Sequence, residues 1–230
     1  MKKAKEKCDI KSCYLCSNCS AYWLPAIESQ RLNFYCKRGE SIFKEGDKAT
    51  GLYFIYKGKV KVHREWGEGK QLILRFAKPG DILGYRGMSD QQIFPVSATA
   101  LEDSTLCFVN NEFFENTLQS NPPLAYKLMK LYANELMEAE QRMGDLAHRS
   151  VKIRIAQMLH MLQKDFGKTD DGSIAISLTK HELAFYAGTT YETFFRVMTD
   201  LTKRRIVKVR GKNIIILKER ILKSIFQNNK

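Results

Sequence analysis

The sequence predicts an α+β fold: an N-terminal antiparallel β-roll, one long helix suited to dimerisation, and a C-terminal winged helix-turn-helix. Three observations carry that expectation. Short apolar runs such as LYFIY, KVKV, LILRF and TLCFV alternate with glycines at 39, 46, 51, 58, 69, 80 and 84, a pattern of frequent turns between short strands. An apolar stripe with steps of four and three follows. Last, LTKHELAFYAGTTYETFFRVMTDLTKRR reads as two short helices meeting at a glycine.

Residues 1 to 20 are expected to be a cysteine-rich tail with no core element, and 21 to 119 the β-roll. The long helix should span 120 to 148, with Ser120 and Asn121 as cap residues and Pro122 and Pro123 in its first turn. Ala125, Met129, Tyr132, Leu136, Ala139, Met143 and Leu146 form its coiled-coil seam, while Leu124, Leu128 and Leu131 form a second stripe for packing on the chain's own β-roll. Two stripes on one helix favour a homodimer over simple self-packing. Residues 149 to 230 form the basic unit, in which the helix through Val151, Ile155, Met158 and Leu162 supports the helix-turn-helix.

Within that unit the register is constrained from several sides. Leu183, Ala187, Phe194 and Val197 point inward, Ala184 lets the helices cross, and Gly188 supplies a turn with positive φ. Lys180 opens the first helix; Thr190, Tyr191 and Glu192 open the second. Glu192, Phe195, Arg196 and Thr199 line its outward face, where an arginine can bond guanine O6 and N7 and a carboxylate can accept from cytosine N4. Glu192 and Arg196 are also spaced as an ordinary surface ion pair. Phe195 either packs under a neighbouring loop or touches a thymine methyl. IVKVRGKNIIIL reads as two strands around a glycine, a wing that offers Lys208, Arg210 and Lys212 to phosphates or merely solubilises the surface.

Charge agrees with a double-stranded DNA partner. Of the formal +13, residues 148 to 230 carry 17 Lys or Arg against 7 Asp or Glu, hence +10. Neither a membrane span nor a secretory signal is legible, which predicts a cytoplasmic location. There the six cysteines are metal ligands, redox-active or buried thiols rather than disulfides.

The motifs GESIFKEGD, LYFIYKGKVKV, KPGDILG, LTKHELAFYAGTTYETFFR and IVKVRGKNIII, in that order, resemble the CRP/FNR superfamily of bacterial transcription regulators. The resemblance covers nearly the whole chain after residue 30. It implies that Glu192 and Arg196 read a TGA-containing half-site of a TTGA-type palindrome, that the residue at Phe195 tunes a flanking base, and that RNA polymerase is a partner. Members binding cyclic AMP have a glutamate after the GDILG-like turn and a later Arg-Ser pair. Here Tyr85 and the pair Phe94 and Pro95 occupy those places, so cyclic AMP is not expected, although Arg86 could stand in from a shifted frame.

FNR-like members hold an iron-sulfur cluster on N-terminal cysteines and one in the roll, and this chain is closer to that branch. The resemblance implies an oxygen- or redox-labile 4Fe-4S cluster on Cys13, Cys16, Cys19 and Cys107, with Cys8 as the alternative fourth ligand. The C-x4-C-x2-C-x2-C spacing departs from the branch's longer gap. Zinc through four thiolates and no metal at all are therefore alternatives, and Cys36 and Cys107 also read as buried strand residues. His63, read as a solvated strand histidine, is a poor candidate for haem. The four scattered histidines at 63, 148, 160 and 181 make no cupin-like metal site, so no enzyme is expected. The remaining rival is a dimeric redox or ligand-binding module acting on protein or RNA.

Overall fold

The computed structural model describes residues 1–4, 13–67 and 69–227; Cys8 lies outside them. Two compact units emerge, residues 1–66 with 73–136, and residues 137–230 with 67–72.

The first unit is the expected β-roll. Its strands are β1 (Lys2–Lys3), β2 (Leu32–Cys36), β3 (Ser41–Phe43), β4 (Gly51–Lys57), β5 (Val60–Glu65), β6 (Gln71–Ala77), β7 (Ile82–Leu83), β8 (Ser97–Ala100) and β9 (Ser104–Asn110). They form one sheet of order β1-β2-β9-β4-β7 and another of order β3-β8-β5-β6. The central strands β4 and β9 run antiparallel, with Phe54 opposite Cys107 and Ile55 opposite Leu106. Side chains alternate across a strand, so β4 and β9 each serve two cores. Tyr53, Ile55 and Leu106 join the cluster of Ile42, Phe43, Val62 and Ala98. Leu52, Phe54, Cys107 and Val109 face the other way, into a cluster completed by helices.

Those helices are α1 (Tyr14–Asn18), α2 (Leu24–Gln30), α3 (Asn111–Ser120) and the first turns of α4 (Pro122–His148). The cysteine segment is thus no featureless tail. Cys13 and Leu15 are buried beside Cys16 in the cluster that holds Phe54, Phe114, Leu124 and Leu128. The signal was overlooked because a cysteine behaves as a small hydrophobe, which makes CYLC an apolar helical face. At the start of α4, Asn121 caps through its carbonyl, which accepts from the Leu124 and Ala125 N–H groups. Its side chain is engaged elsewhere: Oδ1 accepts from the Ser20 N–H and Nδ2 donates to the Thr117 carbonyl.

Leu124, Leu128 and Leu131 pack on the roll as the second stripe requires. On the seam, Met129, Leu136 and Met143 are 59%, 62% and 62% exposed, so the chain itself leaves them uncovered; Ala139 is exposed as well. Tyr132 lies lower, its hydroxyl donating to the Tyr85 carbonyl at 2.6 Å. No helix among the described residues is long and apolar enough to cross a membrane.

In the second unit α5 (Val151–Phe166) is capped by Ser150 and buries Ile155, Met158, Leu159 and Leu162. The reading elements are α6 (Lys180–Tyr186) and α7 (Tyr191–Lys203), followed by the hairpin of β10 (Val207–Arg210) and β11 (Asn213–Ile216). A last helix, α8 (Glu219–Gln227), packs back on α5 through Leu222 and a Phe226–His160 ring contact of 5.6 Å. This helix after the wing is an addition to the expected elements; ERILKSIF carries its apolar step of four at Leu222 and Phe226.

Candidate nucleic-acid interface and cysteine site

Local chemistry starts both helices of the reading head. Thr179 and Glu182 form a reciprocal capping box on α6, the Glu182 N–H donating to Thr179 Oγ1 at 3.1 Å and the Thr179 N–H to Glu182 Oε2 at 2.9 Å. Thr190 Oγ1 accepts from the Thr193 N–H at 3.3 Å and starts α7. Between them Gly188 has φ +63°, with Leu146 lying where a Cβ would project. Gly188→Ala is expected to lower stability by roughly 1 to 2 kcal/mol through the left-handed backbone alone. Thermal unfolding of the variant measures it.

Two arginines absent from the predicted set hold this turn. Arg154 donates from Nε to the Ala187 carbonyl at 3.1 Å, from Nη2 to the Gly188 carbonyl at 3.0 Å and from Nη1 to the Arg149 carbonyl at 2.7 Å. Arg142 Nη2 donates to the Tyr186 carbonyl at 2.6 Å, its guanidinium lying 4.6 Å from the Tyr186 ring. Carbonyls at a helix C-terminus lack intrahelical partners, and cations are favoured there. Burial pulls both guanidinium pKa values below the ordinary arginine range.

With the turn held, α7 presents two faces. Phe194, Met198 and Leu201 are buried, while Val197, expected inward, sits at the margin because the helical phase centres the stripe on Met198. Glu192 and Arg196 are exposed, and among the described residues no ion pair joins them. Thr190 and Lys180 are exposed beside them, whereas Thr199 is half-buried. Phe195 is 49% exposed and lies under no loop. Its ring stacks on Tyr191 at 6.2 Å, and the Lys180 ammonium sits 5.3 Å from its centroid. Tyr191 in turn stacks on His181 at 4.5 Å, so a short aromatic ladder fixes the Phe195 edge.

On the wing, Lys208 and Arg210 alternate with buried Val207 and half-buried Val209, and Lys212 follows Gly211 in the hairpin turn; all three cations are exposed. Loss of one of them, Lys212→Ala, should weaken binding to all DNA sequences alike and lower the salt-dependence slope by about 1. Affinity measured across a salt series checks this.

The roll places Cys13, Cys16 and Cys107 at 5%, 4% and 1% exposure in one cluster, with Cys19 partly buried against it. Cys36 is on the other face of the sheet, with its Sγ donating to the Glu40 carbonyl. Burial and then the proximity of Cys13 push the Cys19 thiol up to about 11. Among the described residues no three His, Cys, Asp or Glu side chains converge on a single ion.

Around Phe94 and Pro95 the roll leaves little space. Phe94 stacks on Phe43 at 4.0 Å, and the remaining cavity is about 10 Å³, room for about one water. Arg86 is committed elsewhere: its Nη2 donates to Glu135 Oε2 at 2.6 Å, while Arg75 Nη1 donates to Oε1 at 2.9 Å. His63, expected to be solvated, is only 4% exposed, with Nε2 2.9 Å from Thr99 Oγ1. Its strand position is on the face of β5 opposite Val60 and Val62, where Thr99 of β8 is a polar partner.

Comparison with known proteins gives the same two parts. Residues 34–121 match the cyclic nucleotide-binding domain family, and residues 153–225 the Crp-like helix-turn-helix domain family. The chain is similar to the CRP-like cAMP-activated global transcriptional regulator of Mycobacterium tuberculosis, with 26% identity over 78% of this chain and 81% of that protein. It is also similar to the fumarate and nitrate reduction regulatory protein of Vibrio cholerae, with 27% identity over 90% of this chain and 86% of that protein. In fold it resembles FixK2 from Bradyrhizobium japonicum, with TM-score 0.75, 23% identity and coverage of 85% of this chain and 96% of that one. With its β-roll, its capped and clamped helix-turn-helix and its wing matched in order, the chain belongs to the CRP/FNR superfamily of DNA-binding transcription regulators, which are not enzymes.

Proposed function

We propose that two copies of this chain pair along Met129, Tyr132, Leu136, Ala139 and Met143 and read a TTGA-type palindrome, under control of an oxygen or redox signal at the N-terminal cysteines. One observation carries the reading: α7 buries one face completely and leaves Glu192 and Arg196 exposed on the other, unpaired with each other. A side chain committed to a surface ion pair would have to give it up before reaching a base; these two have no such bond to each other. Two such helices about one DNA turn apart match a two-fold site. Lys180, Thr190, Tyr191 and the wing cations Lys208, Arg210 and Lys212 supply phosphate contacts. Leu146 lies against the turn at Gly188, and Ala125 is half-buried, so both are less available than the rest of the seam. RNA polymerase is the protein partner, and the cytoplasm the location, that this role implies.

The cysteine set fits an iron-sulfur cluster on chemical grounds. Cys13, Cys16, Cys19 and Cys107 put soft donors in one apolar cluster, where Leu15, Phe54 and Phe114 exclude water. Burial, and then the neighbouring Cys13, raises the Cys19 thiol, so metal binding must release protons and weaken in acid. When bound, a cluster would supply oxygen-labile redox chemistry next to the start of α4. Zinc through four thiolates is the alternative. A cyclic nucleotide is disfavoured by the Phe43–Phe94 stack, and haem by the burial of His63 and its hydrogen bond to Thr99.

The test is anaerobic purification with iron, sulfide and zinc assays and an absorbance scan. About four iron per chain, lost in Cys13→Ser and Cys107→Ser, is expected. Stoichiometric zinc, or a chain that retains no metal, would contradict the cluster.

A further inference from the structure

The reading head contains a cavity that DNA contact does not explain. It lies between α7 and the β10–β11 hairpin and measures about 220 Å³. Leu183, Phe194, Met198 and Ile214, all buried, form its apolar walls. At its rim stand the exposed side chains of Lys180, Lys203 and Lys212, and no acidic residue lines it. An engineered apolar cavity of about 150 Å³ is already enough to take benzene. Three ammonium groups at the mouth of an apolar hole, with no carboxylate to answer them, select an anion over a neutral guest.

We propose that this cavity binds a small aromatic carboxylate, with the ring against Phe194 and Met198 and the carboxylate among the rim lysines. Alanine-sized or polyvalent anions lack the apolar part; uncharged aromatics lack the partner for the lysines. Phe195 forms part of the same wall, held at its outer side by the Tyr191 stack. Because Lys180 and Lys212 are also assigned to DNA phosphates, occupancy would weaken DNA binding. That last step rests on the DNA-reading proposal; ligand binding itself does not.

Methyl-resolved NMR of the full chain, without DNA, tests the site with sodium benzoate and benzyl alcohol as probes at matched ionic strength. Benzoate should shift the Met198, Leu183 and Ile214 methyl signals saturably while those of Leu52 and Ile55 in the β-roll stay still. Benzyl alcohol should bind at least several-fold more weakly. Val209→Phe, which fills the cavity from the wing, should abolish the shifts, and Lys203→Gln, a surface change, should weaken benzoate several-fold. The proposal is overturned if the three cavity methyls do not respond to benzoate. Equal binding of the two probes, or a Lys203→Gln chain that binds benzoate like the parent, would overturn it as well.

Discussion

Arg196→Ala is expected to cost about 1 to 3 kcal/mol of binding free energy at each half-site and to erase the preference for guanine at the contacted position. The proposed dimer would carry the change twice, so the loss on a palindrome should approach double that on a single half-site. Arg196 can have this effect because the rest of α7 is fixed. Phe194, Met198 and Leu201 anchor the helix, Thr190 caps it, and the Arg154 guanidinium holds the turn carbonyls behind it. Binding isotherms on the consensus site and on sites with the guanine changed measure the effect. Preserved discrimination in the variant would remove Arg196 from base readout.

Glu135→Ala, on the part of α4 that packs with the β-roll, is expected to lower the stability of the first unit markedly. The Glu135 carboxylate accepts from both Arg75 and Arg86, with side-chain exposures of 17%, 21% and 33%, and Arg75 also donates to the Ile82 carbonyl at 2.7 Å. Removing the carboxylate strands two guanidinium groups against the Tyr85 ring. Breaking a fully buried pair costs roughly 3 to 5 kcal/mol; partial solvent access here lowers the expectation to about 2 to 3 kcal/mol. The pH dependence has a definite sign. Burial alone would raise the Glu135 pKa, but Arg75 and Arg86 outweigh it and hold the carboxyl below the usual glutamate range. A carboxyl depressed in the folded state adds stability above its unfolded pKa, and that stability is lost as pH falls through the folded value. Urea midpoints should therefore differ widely between parent and variant at neutral pH and converge in acid.

The features most legible in the sequence were those set by local pattern. The turn glycine, the buried Leu183 and Phe194, the two stripes of α4 and the alternation of the wing all follow from periodicity and backbone sterics. Long-range partners were not legible. Nothing in the neighbourhood of Arg154 announces that its donors will meet carbonyls more than thirty residues away, and nothing near Glu135 names Arg75 and Arg86. The cysteine segment misled for a different reason. CYLCSNC has the composition of an exposed ligand loop, yet Cys13, Leu15 and Cys16 were apolar enough to be drawn under the sheet. His63 is a similar case: its basic neighbours and its place on the face opposite Val60 and Val62 suggest water, yet it is covered and bonded to Thr99.

The central claim is that a two-fold pair of α7 helices reads a spaced, guanine-containing palindrome. Fluorescence anisotropy of anaerobically prepared protein at one fixed salt concentration tests it most directly. The probes are a TTGA-type palindrome, the same half-sites moved apart by about half a helical turn, and a scrambled duplex. Half-sites one turn apart suit a two-fold reader, and a half-turn shift puts one of them on the wrong side of the DNA. Binding to the palindrome should be at least about 1000-fold tighter than to the scrambled duplex, with most of that advantage lost in the shifted probe. Equal affinity for all three would contradict it.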